Sequence, residues 1–315
     1  MTRIVLLLLG LALALPAPAW AQAYPSKPVE LIIPFGAGGS ADIEGRIIAK
    51  AAEKLLGVPV VPVNKPGAGG ALAYTHVKTA PPDGYTVAWN STSLLTAANL
   101  GTIDFPWDAM DHVARVSVQA MPMAVRADAP WKTFADFLTY AKANPGKVRI
   151  GNAGHGSGTH VAALAMTEAA GIKAIHAPLG SGKRVASLLR GEVEMISVPT
   201  PEVAAQAKAG EIRVLAVPSV APDPSFPGAP TLKQAGVPVA MELFRGFSVP
   251  RGTPAAVVER LADVFQKAAQ DDAFKTAGDR GGFLVAVQGP AEFRTYLAEQ
   301  NAFIADLVRK GSLKK

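Results

Sequence analysis

Short apolar runs rich in β-branched residues alternate along the chain with longer segments whose apolar residues recur every three or four positions. Residues 29–34, 58–63 and 85–89 are the first three runs, and helical spacing fills the segments between them. Gly57 ends the first helical segment, where a left-handed cap is usual. This strand–helix–strand order predicts a parallel sheet covered by helices on both faces.

The same alternation is repeated between residues 132 and 217, and two further amphipathic helices are predicted at 253–269 and 290–308. The extended stretches 121–126 and 244–249 each link helix-rich blocks, so we interpret them as crossings between two α/β units. The first domain is then discontinuous, with residues 24–120 plus 248–315. The second domain comprises residues 121–247.

Residues 1–21 have the pattern of a signal peptide. Arg3 precedes an apolar run of about a dozen residues, and a small-x-small triplet at 19–21 provides a cleavage site. The run is too short to span the roughly 30 Å of a bilayer's hydrocarbon core, which argues against a retained membrane anchor. We therefore expect an exported protein that begins near Gln22 or Tyr24 and works in the periplasm.

Charge and cysteine content exclude several classes of function. The chain has 31 Lys and Arg against 25 Asp and Glu, a net charge of +6, without a basic block. We therefore expect no nucleic-acid partner, whereas a modest positive field would help to collect small anions. The absence of cysteine excludes disulfides, Cys-ligated zinc, iron–sulfur clusters and thiol catalysis.

Two glycine-rich loops follow predicted strands and open predicted helices, PFGAGGSAD at residues 34–42 and GNAGHGSGTH at residues 151–160. Glycines let backbone amides approach a ligand closely, and a helix N-terminus favours an anion. Asp42 fits a helix-capping role better than contact with a ligand ammonium. Ser157 and Thr159 can donate hydroxyl hydrogen bonds or cap the second helix.

A third loop, LGSGKR at residues 179–184, ends like a Walker A sequence but lacks its first glycine and its terminal Ser or Thr. Its Lys183 and Arg184 are typical solvated cations, yet either could pair with a second ligand carboxylate if it points inward.

Catalytic patterns are missing. Gly36, Gly38 and Ala41 fit a dinucleotide fingerprint, but Asn64-Lys65 stands where a ribose-binding acid is expected, so we expect no nicotinamide cofactor. No G-x-S-x-G sequence occurs, and the spacing of His155 and His160 does not suit one helical face. We interpret the chain as a binding module without a cofactor or a metal; an exported hydrolase of carboxylate esters or amides is the competing class.

Several motifs in order along the chain resemble those of the Bug family, the periplasmic receptors of tripartite tricarboxylate transporters. They include YPSKPVELIIPFGAGGSAD, NKPGAGG, PPDGYTV, the second glycine loop and FRGFSVPRGTPAAVVERL. The resemblance implies an α/β fold of the type II periplasmic-binding (Venus flytrap) kind, with two crossing strands between domains. It also implies capture of a small organic carboxylate for a membrane permease or for sensing, by a protein that we expect to be monomeric.

The resemblance places a ligand carboxylate between the two glycine loops, with the polar turn 90–93 also facing the cleft. Three departures from the family pattern, Leu179, Val198-Pro199 and His155, argue against a ligand with a required ammonium. Leu179 and Val198 favour an aliphatic or aromatic body, and Lys183 and Arg184 favour a purely anionic ligand. The amides of Gly38, Gly39, Gly156 and Ser157 would hold one carboxylate. The predicted ligand-binding residues are Phe35, Gly36, Ala37, Gly38, Gly39, Asp42, Asn90, Ser91, Thr92, Ala153, Gly154, His155, Gly156, Ser157, Thr159, His160, Ser181, Lys183, Arg184, Val198 and Thr200.

Overall fold

A computed structural model describes residues 24–309. The predicted signal peptide, residues 1–21, lies outside this range. The strands are β1 (Val29–Ile33), β2 (Val60–Asn64), β3 (Thr86–Ser91), β4 (Met110–Gln119), β5 (Met123–Arg126), β6 (Val148–Asn152), β7 (Ala174–Pro178), β8 (Met195–Ser197), β9 (Ile212–Ala216), β10 (Leu243–Pro250) and β11 (Leu284–Gln288). The helices are α1 (Ser40–Leu56), α2 (Ala71–Thr79), α3 (Thr92–Leu100), α4 (Phe134–Ala143), α5 (Gly158–Ala169), α6 (Arg184–Leu189), α7 (Ala204–Lys208), α8 (Ala255–Ala268), α9 (Asp272–Gly281) and α10 (Pro290–Arg309).

The strands form two sheets, and each sheet with its helices is one unit. The first sheet has the order β11-β4-β10-β3-β1-β2, and the second has the order β7-β6-β8-β5-β9. The predicted parallel pairing holds for β1 with β2 and β3, and for β6 with β7 and β8. Both sheets are nevertheless mixed, because β10 runs antiparallel to β3 and β4, and β5 runs antiparallel to β8 and β9.

The chain passes between the units close to the two predicted crossings. Residues 120–122 link β4 of the first sheet to β5 of the second, so most of the predicted crossing 121–126 is a strand of the second sheet. The second crossing, 244–249, lies inside β10, near the middle of the first sheet. The proposed boundary at residue 247 therefore falls within a strand that joins the first sheet from Leu243 onward, and the domain bounds stay a prediction.

Aromatic packing fixes the centre of the first unit. The rings of Phe247 and Phe265 stack with their centroids 3.6 Å apart, and Trp89 lies 4.9 Å from Phe247. All three side chains are buried. They join β3, β10 and α8, so the strand that returns from the second unit is anchored in the core of the first.

Two helices agree with the sequence pattern. Helix α2 lies between the second and third predicted strands, and Gly57 ends α1 in the expected left-handed conformation, with a φ of 75°. The predicted polar turn 90–93 is instead the end of β3 and the start of α3, whose first turn the Ser91 side chain caps by accepting from the Ser93 amide. Within residues 24–309, no helix combines the length and apolarity needed to cross a membrane.

Candidate functional site

Three loops that follow strands meet where the two units face each other. The first glycine loop joins β1 to α1, the second joins β6 to α5, and the third joins β7 to α6. A Cβ atom on Gly39 would lie 2.7 Å from the Cβ of Ser181, and one on Gly182 would lie 3.1 Å from the Ala37 carbonyl oxygen. The first and third loops therefore touch across the units, and this approach requires glycine.

The space left between these loops, here called the cleft, is a cavity of about 20 Å³, close to the room that one water molecule takes. The two units are thus closed on each other. Seven of the predicted residues line the cleft: Phe35, Ser91, Ala153, Ser157, Thr159, Ser181 and Arg184. Six lining residues were not predicted: Ala41, Gly158, Pro199, Glu202, Leu243 and Arg245.

Arg184 points into the cleft, whereas its neighbour Lys183 is exposed and does not line it. The Arg184 side chain is 1% exposed and pairs with the carboxylate of Glu202, with Nη2 2.5 Å from Oε1. Its Nη1 donates to Thr159 Oγ1 and to the Ser197 carbonyl, both at 3.3 Å. The Nε atom of Arg184 has no acceptor among the described residues.

Arg245 is a second buried arginine at the same cleft, and it comes from the other unit. It lies on β10, is 2% exposed, and donates from Nη2 to the hydroxyl oxygen of Ser40 at 2.8 Å. Its Nε and Nη1 atoms have no hydrogen-bond acceptor among the described residues. Because an unpaired buried donor is costly, these N–H groups favour an acceptor in the cleft.

Glu44 is the charge partner of Arg245, with Oε1 3.8 Å from Nε, and it is fully buried on α1. Ser117 and Gln119 donate to its two carboxylate oxygens at 3.0 and 2.9 Å. Burial raises the pKa of the Glu44 carboxyl, and Arg245 opposes that rise. Burial likewise lowers the pKa of Arg245, and Glu44 opposes that fall, so each charge of the pair stabilises the other against burial.

Three of the four amides expected to hold a carboxylate already have acceptors within their own loops. Gly38 donates to Asp42 Oδ2 at 3.0 Å, Gly156 donates to His160 Nδ1 at 3.1 Å, and Ser157 donates to the Gly154 carbonyl at 3.0 Å. Their role toward a ligand stays a prediction, and in this closed arrangement a carboxylate would have to displace those acceptors.

Asp42 organises the first glycine loop. Besides the Gly38 amide, its carboxylate accepts from Arg46 Nε at 2.8 Å and from Asn64 Nδ2 at 3.0 Å. These bonds occupy both carboxylate oxygens. The geometry favours the capping interpretation over contact with a ligand ammonium.

The two histidines of the second glycine loop, His155 and His160, do not line the cleft. His155 is exposed, and its ring centroid is 5.0 Å from that of His160. Burial, with the neighbouring rings of His176 and His155, lowers the pKa of His160 to about 3. His160 is thus a neutral acceptor that fixes the loop.

Other predicted residues serve the packing around the cleft. Asn90 donates to Ser248 Oγ at 2.9 Å, and the Thr92 hydroxyl contacts the Glu242 carbonyl at 3.4 Å. Val198 is fully buried in the core of the second unit, against which Leu179 also packs. Thr200 donates to Asp223 Oδ2 at 2.8 Å. The apolar wall of the cleft comes from Phe35, Pro199 and Leu243 instead.

The residues that prediction missed had a weak signal. Arg245 is a cation inside an eight-residue strand that is otherwise without charge and entirely buried. Glu202 follows β8 in a short 3-10 turn, Thr200–Glu202. Nothing local in the sequence distinguishes Glu202 from a solvated charge, whereas the uncharged neighbours of Arg245 were a signal that it is buried.

A larger cavity of about 260 Å³ lies at the C-terminal end of β4, lined partly by Gln119, Asp223, Glu242 and Asp279. Its charged lining is acidic, which makes it a poor site for an anion. No group of three or more His, Cys, Asp or Glu suited to a metal occurs in the part of the chain that the structure describes.

Two α/β units, joined by short crossings and closed over a polar cleft, define the two-domain class of periplasmic solute-binding proteins. The profile of the tripartite tricarboxylate transporter family receptor, TctC, matches residues 45–313. The chain belongs to this family, which confirms the resemblance noted in the sequence.

Individual relatives agree with this assignment. A UPF0065 protein from the gbd 5′ region of Cupriavidus necator is 35% identical over 262 residues, covering 82% of this chain and 80% of that protein. A TctC solute-binding protein from Polaromonas, solved with no ligand, is 36% identical, with 91% and 99% of the chains covered and a TM-score of 0.70. MatC from Rhodopseudomonas palustris, solved with bound malate, is 25% identical, with 90% and 100% covered and a TM-score of 0.85.

Proposed function

We propose that this protein captures a small organic carboxylate in the cleft and delivers it, from the periplasm, to a membrane permease or a sensor. The observation that carries the proposal is the pair of buried arginines, Arg184 and Arg245, which reach one cleft from opposite units. Three of their N–H-bearing nitrogens have no acceptor among the described residues. A guanidinium presents its donors in a planar fork that matches a carboxylate.

The relatives support the same ligand class. MatC was solved with malate, and this structure superposes on it with a higher TM-score than on the ligand-free Polaromonas protein, although the latter is more similar in sequence. That order supports a closed arrangement of the two units in the ligand-bound protein as well. Phe35, Pro199 and Leu243 give the cleft an apolar wall, which suits the aliphatic body of an organic acid.

The proposed activity is binding without turnover. The hydroxyls of Ser91, Ser157 and Ser181 line the cleft. Among the described residues, none of these three hydroxyls is hydrogen-bonded to a histidine ring nitrogen, as an activated nucleophile would be. The hydrolase alternative therefore lacks its central chemical group in this arrangement.

Thermal-shift screening of the mature protein tests the proposal, because a ligand that binds only the native state raises Tm. The panel contains malate, adipate and monocarboxylates beside amino acids, sugars and divalent cations. We expect the large shifts to come from the carboxylates without an ammonium group. Shifts from amino acids, sugars or cations alone would overturn the ligand class, and substrate turnover abolished by one cleft substitution would overturn the binding role.

The cellular part of the proposal has its own test. An intact mass measured on protein from an osmotic-shock fraction should correspond to a chain that begins near Gln22 or Tyr24. Recovery of the chain from Met1 in a membrane fraction would contradict both the export and the periplasmic location. Size-exclusion with light scattering should give a monomer.

A further inference from the structure

The carboxylate of Glu202 occupies the position in which an anionic ligand would be expected. Its Oε1 accepts from the backbone N–H of Ser40 at 3.0 Å and from Arg184 Nη2 at 2.5 Å. Ser40 is the first residue of the 17-residue helix α1, and its N-cap, Gly39, offers no side-chain acceptor. A helix N-terminus of this kind binds anions, and here the anion is supplied by the opposite unit.

The residues around Glu202 offer several buried hydrogen-bond donors, which suits them to bind a carboxylate. Arg245 donates to the hydroxyl of the same Ser40 and keeps two unpaired donors, while Arg184 keeps one. Both arginines and the Glu202 carboxylate are less than about a tenth exposed. Buried donors of this type mark a site for an acceptor, independently of the helix N-terminus.

The size of the cleft leaves no room for a second carboxylate beside that of Glu202. The cavity in the cleft is about 20 Å³, whereas an organic acid is several times larger than a water molecule. A Cβ on Gly39 would already lie 3.3 Å from Glu202 Oε1. An acid that reaches Arg184 and the Ser40 amide must therefore take the place of the Glu202 side chain.

We propose that Glu202 is an intramolecular competitor of the ligand: its carboxylate holds the two units together in the ligand-free protein, and the ligand's carboxylate displaces it. This inference rests on the proposed function for the identity of the competing group. It makes Glu202 a specificity-determining residue, because only a ligand with an acceptor for both Arg184 and the Ser40 amide can replace it.

Two predictions separate this role from direct ligand contact. Glu202→Gln keeps the shape of the side chain but removes its charge, so the bridge between the units weakens and Arg184 becomes free for the ligand. Affinity for malate should then rise about tenfold, at the smaller end of what one charge-assisted hydrogen bond contributes. If Glu202 contacted a ligand donor instead, the same substitution would lower affinity.

The second prediction concerns the distance between the two units and is tested without a ligand. The chain contains no cysteine, so spin labels at Thr75→Cys and Lys208→Cys, exposed positions on α2 and α7, report the distance between the units. Glu202→Gln should give a broader distribution with longer distances than the labelled parent. Glu202→Asp, one methylene shorter, keeps a charge beside Arg184 but should fail to reach Ser40 and should open the protein as well.

Glu194→Gln is the matched control, since it breaks an ion pair with Arg149 in the second unit and does not line the cleft. It should change neither distances nor malate affinity. Unchanged distances in both folded Glu202 variants, an equal change in the control, or a loss of malate affinity in Glu202→Gln would overturn the inference. Absence of malate binding in every variant would count against the proposed ligand class, while the distance measurement still decides the role of Glu202.

Discussion

Replacing Arg245 tests the proposed binding site most directly. Its Nη1 lacks an acceptor in the closed structure, so a ligand carboxylate that accepts from it would gain a charge-assisted hydrogen bond. Such a bond contributes about 1.5–3 kcal/mol. We therefore expect Arg245→Gln to lose about 1.5–3 kcal/mol of binding free energy, which raises the Kd for malate by roughly 10- to 150-fold.

Isothermal titration calorimetry measures this change, and circular dichroism melting shows whether the variant is folded. Folding needs this check, because removal of Arg245 leaves Glu44 buried without its charge partner. Arg245→Lys keeps the charge but loses the planar fork, so it should also weaken malate binding. Arg190→Gln, which alters an exposed ion pair of the second unit, is the control. A Kd within about threefold of the parent value in folded Arg245→Gln would refute the reasoning.

Three further predictions concern closure, pH and the core. Gly39→Ala places a Cβ 2.7 Å from that of Ser181, so it should obstruct closure and weaken malate binding at least about tenfold in titration calorimetry, with little change in Tm. The pKa of both His112 and His160 is lowered to about 3, so the unfolded chain takes up protons that the folded one does not; urea unfolding should show a loss of about 2 kcal/mol per histidine between pH 7.5 and pH 5. Phe247→Ala should lower the free energy of unfolding by about 3–5 kcal/mol, measured in the same way, because its buried ring packs against two aromatic neighbours. The first prediction is contradicted by a malate Kd within about threefold of the parent value, and the second by a flat stability profile below pH 7. A loss under about 1 kcal/mol in Phe247→Ala would contradict the third.

Patterns that depend on neighbouring residues were predictable from the sequence. The alternation of strands and helices, the presence of a helix between β2 and β3, and the left-handed cap at Gly57 all follow from local periodicity and from the conformational freedom of glycine. The glycine loops were correctly placed between strands and helices for the same reason. Helix α3 was not predicted, although Ser91 provides its cap, because its first residues, Thr92 and Ser93, were assigned to the polar turn 90–93.

The composition of the cleft was decided by tertiary structure. Arg245 meets Ser40 across 205 positions of sequence, and Glu202 meets it across 162. Seven of the predicted residues line the cleft because they belong to loops at strand ends, whereas Val198 and Lys183 turn respectively into the core and into solvent. Whether a charged side chain is solvated or buried depends on which distant elements cover it, and that is set by the pairing of β10 within the first sheet and by the closure of the two units. The sequence alone determines the strands, the helices and the loops; only their packing determines which charges face each other.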